Sequence, residues 1–152
     1  MCWEERCAEG AEPYRLRSTF WRRMTAVILD SGGVTGLLHR PGQLQRLRGD
    51  LLWPAHVPAV VLAEVLTGDH RRDFHVNRLL KLCQIWPVTE PLARVAAHMR
   101  TKSGRAATLS VTDAIVVALA GEYAKALILT SDPGDLAALA AHSDAEIRFA
   151  PM

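Results

Sequence analysis

The chain has 152 residues, of which 49% are hydrophobic and 22% charged, with a formal net charge of +2. This length fits one domain with a real core, and the composition is that of an ordinary soluble globular protein. Three cysteines without a CxxC spacing argue against a disulfide framework and a structural zinc, and fit a reducing cytoplasm. No apolar run approaches the roughly 18 residues of a membrane span, and the acidic N-terminus lacks the apolar segment of a secretory signal.

Charge is unevenly distributed along the chain. Residues 71–105 carry eight Lys or Arg against two acids, whereas residues 113–146 carry six acids against Lys125. A basic middle and an acidic end suit a carboxylate site beside a surface that attracts phosphate. Solvated helix faces explain the same pattern equally well.

Residues 1–23 mix tryptophans, charges and a proline without periodicity. We expect this segment to be a disordered tail or an over-extended start, with the compact domain spanning 24–152. An apolar run at 26–29 then predicts a buried strand that ends at Asp30 and a Ser-Gly-Gly turn. A second such strand at 126–129 ends in Thr130, Ser131 and Asp132.

Apolar spacing predicts helices over residues 34–39, 43–52, 59–66, 73–83, 91–102, 111–119 and 136–141. Ser110 is the predicted N-cap of the helix that follows it. Shorter strands are predicted at 84–88, where Pro87 weakens the pattern, and at 147–150. Strands alternating with helices predict an α/β fold with a mainly parallel sheet.

Four acids interrupt the four most apolar segments of the chain. They are Asp30 in VILD, Glu64 in VVLAEVL, Asp113 in VTDAIVVALA and Asp132 in ILTSD. A lone buried carboxylate is costly or has a strongly raised pKa, so four together indicate a cation among them. Carboxylate oxygens are the ligands that Mg²⁺ and Mn²⁺ prefer. Taken singly, each acid is better explained as a turn, cap or helix-edge residue; taken together, they favour a metal site.

The order of these segments, with LAEVLTG, TDAIVVALA and ILTSDPGDL around the last three acids, resembles the PIN-domain ribonucleases. Within that family it is most similar to the VapC-type toxins of toxin–antitoxin pairs, over residues 24–152. The resemblance implies a three-layer α/β/α fold with a mainly parallel sheet of about four to five strands. It also implies a cytoplasmic homodimer that cleaves RNA and is neutralised by a small cognate antitoxin.

The resemblance further implies the roles of individual residues. The four acids would hold one or two Mg²⁺ or Mn²⁺ ions, which activate water for RNA hydrolysis without a side-chain nucleophile. Asp135 matches an additional, accessory acid. Three hydroxyl residues match supporting positions: Ser31, Thr130 and Ser131. One departure is Gly32-Gly33, where the family more often has a small residue followed by an apolar one.

Basic residues of the middle segment are the candidates for binding RNA phosphates. They are Arg71, Arg72, Arg78, Arg100, Lys102 and Arg105, and solubility or partner contacts explain each one equally well. The six histidines show no ligand spacing. We expect His70 and His75 to be solvated or to face RNA, and the other four, including His56, to lie at the surface.

Two other functions fit parts of the sequence. One is a non-catalytic PIN-like module that binds RNA or a partner protein, which metal dependence would distinguish from a nuclease. The other is a serine protease, because residues 30–33 match the core of the GDSGG signature. No histidine precedes Ser31, and Leu29 replaces the first glycine, so the sequence argues against a protease.

Overall fold

One five-stranded parallel sheet organises the described residues, which are 25–50 and 52–152 of the computed structural model. The predicted N-terminal segment 1–23 lies outside them. The strands are β1 (Thr25–Leu29), β2 (His56–Pro58), β3 (Gln84–Trp86), β4 (Lys125–Thr130) and β5 (Glu146–Pro151). Their order in the sheet is β3-β2-β1-β4-β5.

Seven helices connect the strands in this part of the chain. They are α1 (Ser31–His39), α2 (Pro41–Gly49), α3 (Ala59–Val65), α4 (Phe74–Leu80), α5 (Glu90–Lys102), α6 (Val111–Ala120) and α7 (Pro133–Ala140). None of the helices in the described residues is both long and apolar enough to cross a bilayer.

The helices form two layers, one on each face of the sheet. From β1 the chain moves to β2 and β3 on one side and later to β4 and β5 on the other. Right-handed crossovers therefore place α1 to α4 on one face and α5 to α7 on the opposite face. The contacts agree, since α1 packs against α2, α3 and α4, whereas α6 packs against α5 and α7. The predicted three-layer α/β/α fold is confirmed.

The centre of the core is the pairing of β1 with β4. The two strands run in register, with Leu29 beside Leu129, and residues 26–29 are buried. Both faces of such a strand are covered, which explains why β1 is a continuous apolar run. Because the strand order reverses between β1 and β4, their shared carboxyl edge is the switch point at which open α/β sheets bind ligands.

Some elements differ from the sequence prediction. Strand β2 was not predicted, because three residues that end in Pro58 and continue directly into a helix carry no strand periodicity. Helices α1 and α7 begin at Ser31 and Pro133, three residues before their predicted starts. In both cases an aspartate caps a first turn that lacks the apolar spacing on which the prediction depended.

His56 is buried, which corrects the surface position predicted for it. Trp86 Nε1 donates a hydrogen bond of 2.7 Å to His56 Nδ1, and the Tyr123 hydroxyl oxygen lies 3.4 Å from the same nitrogen. Burial lowers the pKa of His56 to about 4. The ring is therefore neutral in the folded protein and forms part of the sheet's packing.

The Gly32-Gly33 pair allows α1 to pack directly on the end of β4. A Cβ at Gly32 would lie 2.7 Å from the backbone nitrogen of Ser131, and one at Gly33 would lie 2.9 Å from the carbonyl carbon of Leu129. Neither position has room for a side chain. The two glycines that depart from the family pattern are therefore required here, because α1 and the end of β4 approach each other too closely for a side chain.

We expect Gly33→Ala to destabilise the fold, because the new methyl group forces α1 away from β4. Overpacking of this kind costs about 1 to 3 kcal/mol, and about 2 to 4 °C in Tm accompanies each kcal/mol. Gly49→Ala is the matched control. A Cβ added at Gly49 would have no atom within 4 Å, and alanine is a better helix former than glycine. Thermal unfolding followed by circular dichroism should show opposite shifts. A Gly33→Ala protein as stable as the parent would contradict the proposed close packing.

Candidate active site

Asp30 directly follows β1 and caps α1. Its Oδ1 accepts a 2.6 Å hydrogen bond from Gly33 N, and the Thr130 hydroxyl at the end of β4 also hydrogen-bonds to the carboxylate. The residue is only 7% exposed. Burial raises the pKa of Asp30, and the charge of Glu64 raises it further, while both hydrogen bonds oppose the shift. A buried acid held in place with a perturbed pKa is typical of functional sites.

Asp113 lies in the first turn of α6, where it interacts electrostatically with the other acids. Ser110 caps this helix as predicted, with its Oγ accepting from Thr112 N at 3.1 Å and from Asp113 N at 3.4 Å. Burial raises the pKa of Asp113 to about 6, and the negative charges of four further acids add to the increase. In order of decreasing effect, they are Asp30, Glu64, Asp135 and Asp132. The fold thus gathers the four predicted acids and the accessory one at one edge of the sheet.

Asp132 and Asp135 both belong to the start of α7. Asp132 caps the helix, and its Oδ1 accepts from Gly134 N at 3.1 Å. Asp135 accepts a 2.9 Å hydrogen bond from Arg105 Nη2, and the two side chains are about half exposed. Among the described residues, this is the one ion pair that involves an acid of the gathered set. Arg105, which was predicted to bind RNA phosphate, therefore has an acidic partner within the chain.

Glu64 is exposed at the end of α3 and lines an open cavity of about 470 Å³. The predicted hydroxyls of Ser31 and Ser131 line the same cavity. The other lining residues are Gly32, Thr35, Gly36, Val65 and Met152. The last four were not predicted to line the site; Val65 lies in the LAEVLTG segment but was given no role, and Thr35, Gly36 and Met152 belong to no motif. The volume lies within the range of about 300 to 1,000 Å³ that is usual for ligand pockets.

The acids fit a hard divalent cation in kind and in charge. They repel one another, and no Lys or Arg of the described residues pairs with any of the four predicted acids. The side chains as they stand do not surround one point, since the described part of the chain contains no group of three or more His, Cys, Asp or Glu arranged to hold a metal. The site supplies suitable donors without a finished coordination shell.

The predicted RNA-binding cations lie in different surroundings. Arg100 donates to the carbonyl oxygens of Ala106 and Leu109, and so fixes the loop that precedes α6. Four others are exposed and pair with no described carboxylate: Arg71, Arg72, Arg78 and Lys102. These four are available to an anionic ligand, whereas Arg100 serves the loop.

We expect Asp113→Asn to raise the Tm of the metal-free protein at neutral pH. The folded protein must ionise this carboxyl against a pKa of about 6, compared with an ordinary 3.8, and the amide removes that penalty. Discounted for partial exposure, the gain is about 1 kcal/mol, or about 2 to 4 °C.

The difference in Tm between the parent and Asp113→Asn should decrease as the pH falls from about 6 to below 4. The folded parent takes up its proton near pH 6 and the unfolded chain only near 3.8, so acid restores the parent's stability. Asp144→Asn, at an exposed acid in the loop before β5, is the control and should not change the Tm. Thermal unfolding in EDTA at several pH values measures both effects. A lower Tm for Asp113→Asn at pH 7 would contradict the prediction. It would mean that the Asp113 carboxylate mainly stabilises the N-terminus of α6 through its negative charge.

A family model of the PIN domain matches residues 41–142 of the chain. This segment is well over half of the sequence and includes Glu64, Asp113, Asp132 and Asp135, while Asp30 precedes it. No match was found among curated protein sequences.

Several solved structures contain chains with a similar fold, and one of them is a member of the VapBC family of toxin–antitoxin systems. DNA-bound VapBC from Salmonella typhimurium matches with a TM-score of 0.62 and 14% identity, covering 83% of this chain and 98% of that chain. FitAcB from Neisseria gonorrhoeae matches with a TM-score of 0.55 and 21% identity, covering 80% of this chain and 96% of that chain. VapBC-5 from Mycobacterium tuberculosis matches with a TM-score of 0.54 and 21% identity, covering 82% of this chain and 98% of that chain. These identities establish the fold alone, and it is the family model, over well more than half of the sequence, which shows that the chain belongs to the PIN domain family.

Proposed function

We propose that the protein is a divalent-metal-dependent endoribonuclease and the toxin of a toxin–antitoxin pair. The observation that carries the proposal is the gathering of Asp30, Glu64, Asp132 and Asp135 around Asp113 at the switch point of the sheet. Membership of the PIN family supports a nuclease. In this proposal the first three of these acids and Asp113 are ligands for Mg²⁺ or Mn²⁺, and Asp135 is accessory.

The residues of the chain prepare the site for a phosphodiester. When bound, the divalent ion would lower the pKa of a water molecule and offset the charge that develops on the phosphate. The Gly33 N–H and the Thr130 hydroxyl hold Asp30 in one orientation. The hydroxyls of Ser31 and Ser131 line the cavity beside Glu64, where they can donate to phosphate oxygens. No side-chain nucleophile is required.

A small cognate antitoxin and a second copy of the chain are the proposed protein partners. The similar structures from Salmonella typhimurium and Mycobacterium tuberculosis are VapBC proteins, and the second is described as a member of the VapBC family of toxin–antitoxin systems. Their shared fold supports an antitoxin partner. The homodimer and the cytoplasmic location are part of the proposal because the resemblance to VapC-type toxins implies them.

A non-catalytic PIN-like module that binds RNA is the second candidate. The observation that favours it is the absence of a preassembled metal-binding group among the described residues. Such a module would bind RNA equally well with and without Mg²⁺, and would leave it intact.

The purified protein, freed of antitoxin, should cleave RNA with Mg²⁺ or Mn²⁺ and should stop when EDTA is added. We expect Asp30→Asn to reduce the rate by at least about 100-fold, because it removes a charged ligand at the centre of the site. Asp144→Asn, outside the acid cluster, should cut like the parent. Gel analysis of a labelled RNA pool measures all three proteins. Equal cleavage by Asp30→Asn and the parent would assign the activity to a contaminant or to another site.

Expression of the parent chain should arrest growth, because cleavage of cellular RNA stops protein synthesis. Asp30→Asn should be harmless at the same expression level, measured by immunoblot. Co-expression of the short reading frame next to the gene should restore growth, and its product should co-purify with the chain. Growth arrest by Asp30→Asn would mean that toxicity does not come from the acid site. A lack of rescue would refute the neighbouring frame as the antitoxin.

A further inference from the structure

Phe74, the first residue of α4, is 53% exposed, whereas Leu79 and Leu80 of the same helix are buried. A large aromatic side chain at the surface is an informative exception to the usual burial of apolar residues. The ring meets the His75 ring edge-on, with 5.3 Å between centroids and 80° between planes. The Arg78 guanidinium carbon lies 5.8 Å from the Phe74 centroid. The ring therefore stands at the surface next to a cation.

The cations around Phe74 keep their charge available. Arg71, Arg72 and Arg78 are exposed, and none of them pairs with a carboxylate of the described residues. The nearby acid Asp69 forms no ion pair with them; its Oδ1 accepts hydrogen bonds from the backbone nitrogens of Arg71 at 2.8 Å and Arg72 at 3.4 Å. The exposed ring thus has one guanidinium group against it, that of Arg78, and two further exposed arginines two and three residues before it in the chain.

The loop that carries this surface is held by the buried Asp73. Its carboxylate accepts from Thr67 N at 3.0 Å, from Thr67 Oγ1 at 2.9 Å and from Gly68 N at 2.9 Å. These hydrogen bonds lower the pKa of Asp73, so it stays ionised and keeps its backbone partners. The same loop begins at the end of α3, which carries Glu64. The surface and the candidate active site are thus joined by one short, ordered segment.

We propose that Phe74 is a stacking platform for an unpaired nucleobase of the RNA, with Arg71, Arg72 and Arg78 binding the phosphates beside that base. Exposed aromatic rings within a positive surface are how proteins hold single strands without reading sequence. Base pairs in a duplex stack on one another and offer no free face, so the platform selects single-stranded or looped RNA. The proposal rests on the proposed function for its ligand and adds where the strand is held away from the acids.

The test measures RNA binding separately from cleavage. The full chain carrying Asp30→Asn, kept in EDTA, is titrated with fluorescent oligouridylate and with the same oligomer paired to oligoadenylate. We expect Phe74→Ala to weaken single-strand binding by about 5- to 100-fold, the loss typical of one stacked base. Phe74→Trp should bind at least as tightly as the parent, and neither change should affect the duplex. Val95→Ala, at an exposed apolar position of α5 (41% exposed), is the matched control and should have no effect.

Salt dependence separates the ring from the cations. The double variant Arg71→Ala, Arg72→Ala should flatten the plot of log affinity against log salt by about 0.7 for each single-strand phosphate that the missing guanidinium groups no longer neutralise. Phe74→Ala should leave that slope unchanged, because stacking releases no counterions.

Equal oligouridylate binding by Phe74→Ala and the parent would overturn the platform, as would an equal loss on the duplex. A Phe74→Ala protein that loses self-association or antitoxin binding, but not RNA, would assign the ring to a protein interface. Failure of the proposed function gives a different result. A chain that never cleaves RNA but shows the Phe74 effect keeps the platform, and a chain that binds no RNA at all loses both.

Discussion

Repulsion between carboxylates at the carboxyl edge of the sheet is the constraint on which the rest of the structure depends. Burial raises the pKa of Asp113, and the negative charges of four neighbouring acids raise it further, so holding the acids together is unfavourable for the folded chain. Three helices begin at this edge: α1 after Asp30, α6 at Ser110 and α7 after Asp132. The backbone N–H groups and the positive ends of these helices are the favourable partners for the negative charge. In the described chain, the fold offsets the repulsion with backbone dipoles, while guanidinium groups reach it only at Asp135.

Two of the candidate site acids also cap helices. Asp30 and Asp132 each use Oδ1 to accept from the first turn of a helix. The cap fixes the orientation of the carboxylate, which a ligand for a substrate or an ion also requires. Considered singly, each of these acids is explained as a helix cap; considered together, they lie at one edge of the sheet, because the register of β1 and β4 brings both strand ends there.

The sequence allowed the sheet class and the gathered acids to be predicted, because carboxylates that interrupt apolar runs are costly and strand ends of a parallel sheet share one edge. It did not allow β2 or the burial of His56 to be predicted. A three-residue strand has no periodicity, and burial of His56 depends on Trp86 and Tyr123, which are distant in the chain. Two further contacts also join residues that are distant in the chain: Arg105 pairs with Asp135, and Met152 packs against Gly36. Such contacts become apparent only after the topology is known.

The pairing of β1 with β4 has a consequence for protein synthesis. The central strand β1 is made early, yet its in-register partner begins at Lys125, beside Thr25. A nascent chain therefore carries an apolar strand without its main neighbour until most of the molecule has left the ribosome, and non-local parallel pairing is intrinsically slow. Asp132 and Asp135 emerge later still. The acid cluster therefore cannot assemble until nearly the whole chain has left the ribosome, and the candidate active site is one of the last parts of the molecule to form.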